Sequence, residues 1–220
     1  MVDIYLQHGW GWDAAGWAGW CQAEGFFQAC RIADRGYFGS PVVAEFGAGG
    51  ILVVHSLGLH LVPAALFKTA SLVAVFGGFQ AFHPDQETAA RRSRRLVQRM
   101  LQRLEREPGG LLDEFYTAAY APQASGRTAP ASPVQALLHQ DLVLLDGHVF
   151  DPGLLRHARQ VLIVHGRQDR IVPLEKSYAL HCQISGSIFH VLEAGGHALP
   201  FTHGAVCRAL IEEAFREGND

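Results

Sequence analysis

The chain reads as an α/β domain built on a mostly parallel sheet, and three observations lead there. Short apolar runs alternate with longer amphipathic ones, the pattern of strands and helices in sequence. Runs such as Ile51-Leu52-Val53-Val54 are apolar at every position, as strands covered on both faces are. Polar residues also follow several of these runs immediately, where an open parallel sheet places its ligands. With 220 residues, 49% of them hydrophobic, the chain has enough material for one domain and one inserted module.

Taken in order, Val2 to Gln7 predicts a strand that ends at His8-Gly9-Trp10-Gly11. Trp17 to Phe27 predicts a helix, and Cys30 to Ala33 a short strand before the turn-rich Asp34-Arg35-Gly36-Tyr37. Gly50 to Val54 is the next strand, halting at His55-Ser56-Leu57-Gly58, with a helix over Leu59 to Lys68 and a strand over Leu72 to Phe76. From Phe82 to Leu154 charged helical sequence replaces the apolar runs, and a Pro/Ser/Ala stretch from Pro122 to Pro133 reads as a loop between helices. The alternation resumes with a strand at Val161 to Val164, a helix at Leu174 to His181, a strand at Ser187 to Leu192 and a helix at Ala205 to Glu217. The core is therefore expected in 1–81 and 155–220, with 82–154 inserted.

Charge and cysteine content narrow the function. Eighteen basic against 21 acidic residues give a net −3, which offers no bulk attraction for nucleic acid. Cys21, Cys30, Cys182 and Cys207 form no C-x-x-C pair, so four free thiols in a reducing cytoplasm are expected. The start lacks a basic leader followed by a long apolar stretch, and Ile51 to Phe67 is interrupted by His55, His60 and Pro63, so no membrane association is expected. Gly47-Ala48-Gly49-Gly50 precedes a strand instead of following one, no Walker lysine pattern exists, and no metal-ligand spacing stands out. Cofactor-free and metal-free chemistry is the expectation.

Three segments following apolar runs can supply such chemistry. In Val54-His55-Ser56-Leu57-Gly58 a sharp strand-to-helix turn would expose the Ser56 hydroxyl. Val54 stands where G-x-S-x-G has its first glycine and is expected to crowd the turn. In His165-Gly166-Arg167-Gln168-Asp169, an ionised Asp169 can orient an imidazole and stabilise its protonated form. In Glu193-Ala194-Gly195-Gly196-His197, two glycines let His197 approach other backbone and take the Ser56 proton. Alone, Ser56 reads as a helix cap and Asp169 as a turn residue; together they have the order Ser, Asp, His of one group of hydrolases. His203 is the rival to His197 and Glu193 to Asp169, while His55, His60, His181 and His190 read as partly buried hydrogen-bonding residues. The backbone N–H groups of Trp10 and Leu57 are the expected donors to an oxyanion.

Seven arginines lie between Arg91 and Arg106, against the single acid Glu105. At about 100° per residue, Arg92, Arg95, Arg99, Arg103 and Arg106 fall within an arc of about 80°, away from Val97, Met100 and Leu104. Like charges on one face repel, so an anionic partner is expected to offset them, although a solvated face has the same pattern.

These residues resemble the α/β-hydrolase superfamily and, within it, the pimeloyl-[acyl-carrier protein] methyl ester esterases of biotin synthesis. The resemblance is carried by His8-Gly9-Trp10-Gly11-Trp12, Asp34-Arg35-Gly36-Tyr37, His55-Ser56-Leu57-Gly58, Gly166-Arg167-Gln168-Asp169 with Val172-Pro173, and Gly196-His197-Ala198 with Pro200-Phe201. It departs at Val54 and at Leu199, an extra residue in the final motif. It implies an α/β-hydrolase sheet with flanking helices, trimmed of its first strands, and a helical lid over the site. It also implies a Ser56-His197-Asp169 esterase without cofactor, whose lid arginines recognise an acyl carrier protein. A small-molecule carboxylesterase or thioesterase, a menaquinone-pathway lyase and a non-catalytic ligand-binding protein on the same fold are the alternatives.

Overall fold

The computed structural model describes residues 2–22 and 25–218. Its six strands are β1 (Val2–Gln7), β2 (Phe27–Ala33), β3 (Ile51–His55), β4 (Leu72–Phe76), β5 (Gln160–Gly166) and β6 (Ile188–Leu192). They form one sheet in the order β2-β1-β3-β4-β5-β6, and every pairing is parallel. Parallel pairing puts all the strands' carboxyl ends on one edge, so the turns after β1, β3, β4, β5 and β6 converge there.

The strand side chains alternate between two apolar layers. Leu52, Val54, Val73, Val75, Val161 and Ile163 enter one, which also holds Leu59, Phe67 and Leu180 from helices α2 (Gly58–Leu61), α3 (Ala64–Thr69) and α7 (Leu174–His181). Ile51, Val53, Leu72, Ala74, Phe76, Leu162 and Val164 enter the other. That layer packs on Trp20 of α1 (Ala18–Cys21), Leu199 of α8 (Leu199–Thr202) and Cys207, Ile211 and Ala214 of α9 (Gly204–Glu217). Burying each large aliphatic side chain contributes about 1.5–3 kcal/mol, so the two layers supply most of the stability of the sheet.

Between β4 and β5 run α4 (Glu87–Arg106), α5 (Pro108–Tyr120) and α6 (Gln135–Gly147). Gln86 caps α4 by accepting from the Ala89 N–H at 2.7 Å, and Pro108 opens α5 at a position that needs no N–H donor. Val97, Leu101 and Leu104 of α4 meet Leu138, Leu142 and Leu145 of α6 in a third apolar cluster, which also takes in Trp10, Trp12 and Leu57. Polar pairs fix the segment to the sheet domain. Arg35 donates twice to Asp141 of α6, at 2.7 and 2.9 Å, and the Tyr37 hydroxyl adds a bond of 2.7 Å. Arg127 donates to both carboxylate oxygens of Asp13, at 2.7 and 3.0 Å, with its guanidinium over the rings of Trp12 and Tyr116. Within the inserted segment, His83 bridges Ser93 of α4 at 2.8 Å and Asp146 of α6 at 2.9 Å.

Three local expectations are corrected. The helix expected over Trp17 to Phe27 is a 3-10 turn at Ala14–Trp17 followed by the single turn α1; Phe27 already belongs to β2, and residues 23 and 24 lie outside the described residues. The helix expected over Leu59 to Lys68 breaks at Val62-Pro63, where proline cannot donate to the preceding turn. Cys21 and Cys30 are joined in a disulfide, because edge strand β2 returns beside α1 and brings their Cα atoms within 5.3 Å. Only Cys182 and Cys207 are free thiols among the described residues, and the argument for a reducing compartment from unpaired cysteines falls away. Among the described residues, no helix is long and apolar enough to cross a membrane.

Candidate active site

Ser56 sits at the turn between β3 and α2 with φ +55°, the left-handed region that a side chain adopts at a cost of roughly 1–2 kcal/mol. Its N–H donates to the Phe76 carbonyl at 2.9 Å. The turn is pressed onto the segment after β1: a Cβ on Gly58 would lie 2.8 Å from the carbonyl oxygens of Gln7 and His8, and one on Gly9 would lie 2.9 Å from the Cβ of Ser56. Val54 stands two residues before Ser56. It lies within β3, paired with Gln7 and Val75, and packs into the layer with Leu59 and Val62.

Asp169 follows β5. One carboxylate oxygen accepts from the N–H groups of Ile171 and Val172, at 2.7 and 2.9 Å, and the other from Nδ1 of His197 at 2.7 Å. Burial pushes the Asp169 carboxyl up, but the neighbouring His197 and His165 and these hydrogen bonds outweigh it and leave the pKa below the usual carboxylate range. Since a carboxylate only accepts, His197 carries its proton on Nδ1 in the neutral state, leaving the lone pair on Nε2. Nε2 is buried and has no hydrogen-bond partner among the described residues, Ser56 included, so it is free to take a proton.

The glycines around His197 show why the histidine reaches this position. A Cβ on Gly196 would collide with the Ala121 carbonyl oxygen, and one on Gly166 would collide with the carbonyls of Gly195 and Gly196. Gly77, at φ +57° after β4, leaves room for the pair as well, because a Cβ there would stand 3.2 Å from Nδ1 of His197 and 3.6 Å from the Asp169 carboxylate. The extra Leu199 is absorbed at the start of α8, where it is buried, while Phe201 stacks on Trp12 with ring centroids 4.4 Å apart.

The backbone N–H groups of Trp10 and Leu57 make no hydrogen bond among the described residues. Both residues line a cavity of about 80 Å³ with Ser56, closed by Phe82, Phe115, Leu142 and Leu145. The turn bearing Trp10 is held from several sides. Nδ1 of His8 donates to the Gly9 carbonyl at 2.8 Å, and its Nε2 accepts from the Arg35 N–H at 3.0 Å. Asp34 accepts from the N–H groups of Ala14 and Gly36, both at 2.8 Å. The Trp10 indole donates to the Leu138 carbonyl at 2.9 Å and the Tyr116 hydroxyl to the Gly11 carbonyl at 2.6 Å.

The structure thus pairs His197 with Asp169, sets Ser56 in one cavity with Trp10 and Leu57 on the same edge of the sheet, and leaves both rivals outside. Glu193 is exposed and pairs with Arg167, and His203 bonds its neighbour Thr202. His55, read from the sequence as a partly buried hydrogen-bonding residue, is fully buried and does hydrogen-bond: its Nε2 donates to the His197 carbonyl at 2.9 Å, with the two rings 4.9 Å apart. What the sequence did not show is that its partner is His197. Among the described residues no three His, Cys, Asp or Glu side chains group as a metal site.

The arginine face is divided. Arg103 is half-buried and donates to Glu107 and to both carboxylate oxygens of Glu114, so it ties α4 to α5 instead of facing a partner. Arg92, Arg95, Arg99 and Arg106 are exposed and unpaired among the described residues.

The geometry can be set beside known proteins. No family model matches the chain. The pimeloyl-[acyl-carrier protein] methyl ester esterase of Methylococcus capsulatus is 29% identical over 258 aligned positions, which cover 96% of this chain and 93% of that protein. Among solved structures, a bromoperoxidase from Bacillus anthracis superposes with a TM-score of 0.76 at 18% identity, covering 98% of this chain and 92% of that one. An esterase from Exiguobacterium antarcticum gives 0.72 at 15% identity, covering 97% and 93%. The chain has the α/β-hydrolase fold.

Proposed function

We propose that the chain is a serine esterase that hydrolyses the methyl ester of a pimeloyl group carried on acyl carrier protein, a step of biotin synthesis. One observation carries the esterase reading. Ser56 occupies a left-handed elbow in one cavity with Trp10 and Leu57, on the same sheet edge as an imidazole whose Nδ1 is held by a buried carboxylate; the two N–H groups and the imidazole Nε2 have no partner among the described residues.

The reaction follows from these groups. Ser56 Oγ attacks the ester carbonyl as Nε2 of His197 takes its proton, and the Trp10 and Leu57 N–H groups hold the oxyanion. Collapse of the tetrahedral adduct breaks the bond to the methoxy group, which leaves as methanol with the proton from His197. Water, deprotonated by the same nitrogen, then attacks the acyl-Ser56 ester and frees the carboxylic acid while Ser56 regains its proton. Asp169 keeps the imidazole oriented and stabilises its charged form.

The carrier reading is supported by the M. capsulatus relative and by the exposed Arg92, Arg95, Arg99 and Arg106 on α4, which suit an acidic protein surface. The segment 82–154 acts in this reading as a lid, roofing Ser56 with Phe82, Leu96, Met100, Phe115, Leu142 and Leu145. The test compares pimeloyl-carrier protein methyl ester with a nitrophenyl ester. Charge reversal at Arg95 and Arg99 together should lower the carrier-to-nitrophenyl ratio of kcat/KM by roughly tenfold or more. Good turnover of the nitrophenyl ester with none of the carrier ester would refute the carrier reading.

A further inference from the structure

The cavity at Ser56 does not end at its apolar walls. Four of its lining residues, Leu96, Met100, Phe115 and Ile171, also line a surface groove of about 330 Å³, so the two adjoin along these side chains as a candidate path from solvent to the nucleophile. The path is apolar along these four side chains and Leu111, and its charged residues are few. Arg170 lines the inner cavity and Arg99 the groove. Both are exposed, and neither has an ion-pair or hydrogen-bond partner among the described residues. Glu114, the acid on the groove wall, is occupied by Arg103, so it does not neutralise either guanidinium.

A neutral acyl chain gives two unpaired guanidinium groups nothing to bind. A chain whose ester sits at Ser56 and whose other end is a carboxylate matches the whole path: methylenes against Leu96, Met100, Phe115 and Ile171, and the anion on a planar, two-pronged donor. We propose that the Ser56 site, read as an esterase, also takes free half-esters of medium-chain α,ω-dicarboxylic acids, with Arg170 the residue that binds the distal carboxylate and Arg99 reinforcing the field at the groove. The bond broken is the same as above. Water adds to the acyl group, the alcohol leaves, and the product is the free dicarboxylate. Arg170 directly follows Asp169, so the loop that orients His197 also fixes the distance between nucleophile and anion site.

Monomethyl pimelate and dimethyl pimelate test this, since they differ in one charge. Wild-type protein should hydrolyse the half-ester with kcat/KM roughly tenfold above the diester, and Arg170→Gln should erase that preference, with Arg170→Lys retaining part of it. Titration of both compounds into Ser56→Ala, with and without Arg170→Gln, reads binding apart from turnover and should show the same roughly tenfold difference. Equal use of the two esters, or a preference that survives Arg170→Gln, overturns the assignment and leaves the esterase reading standing. Binding of the half-ester with no turnover of either ester overturns the esterase reading and the proposed activity with it.

Discussion

The hydroxyl of Tyr116 donates to the carbonyl of Gly11 at 2.6 Å, so a residue of α5 holds the turn that presents the Trp10 N–H. Trp10 itself is tied by its indole to Leu138 of α6. One donor of the proposed oxyanion pair is thus positioned by the inserted helices and the other, Leu57, by the sheet. An oxyanion site is effective only when its donors are fixed before charge develops.

Tyr116→Phe removes that bond and leaves the ring in place. We expect kcat on a nitrophenyl ester to fall roughly tenfold with KM little changed, and stability to fall by about 1 kcal/mol. Steady-state kinetics beside a urea titration separates the two effects.

Asp141 is a buried carboxylate on α6 whose partners, Arg35 and Tyr37, come from the loop after β2. Asp141→Ala strands a guanidinium and a phenol in the interface, with an expected loss of roughly 3 kcal/mol in denaturant unfolding. Arg35→Met with Asp141→Leu removes both charges and should recover much of that loss.

These two ties mark where the sequence stopped being legible. Tyr116 and Gly11 are 105 residues apart and Arg35 and Asp141 are 106, and no local pattern pairs side chains over such a span. What the sequence disclosed was local. Apolar runs located all six strands, and the polar residues after β3, β5 and β6 located Ser56, Asp169 and His197. The glycines of Gly195-Gly196 announced a close approach, and the collision that a Cβ on Gly196 would cause with Ala121 is that approach. Helical periodicity sorted α4 correctly into a buried side with Val97 and Leu104 and a charged side. It could not show that Arg103 is claimed by Glu114, because that acid belongs to the next helix. The disulfide escaped for the same reason: the return of an edge strand joins Cys21 to Cys30, and their spacing alone carries no motif.

His55 makes stability depend on acid. Burial, with the neighbouring His197 adding to it, lowers its pKa to about 3, so it stays neutral in the folded protein while the unfolded chain takes up a proton near pH 6.5. The stabilising contribution is complete above pH 6.5 and is lost as the pH falls toward 3, amounting to roughly 2 kcal/mol between pH 7 and pH 5. Melting temperature should drop over that interval, and His55→Phe should flatten its slope; an unchanged slope in the variant contradicts the assignment.

The central claim is that Ser56 is the nucleophile, and active-site labelling tests it most directly. A fluorophosphonate should modify the protein at one site, with the added mass on the peptide containing Ser56, and Asp169→Asn should slow the labelling by orders of magnitude. No labelling, or labelling on a peptide without Ser56, would contradict it.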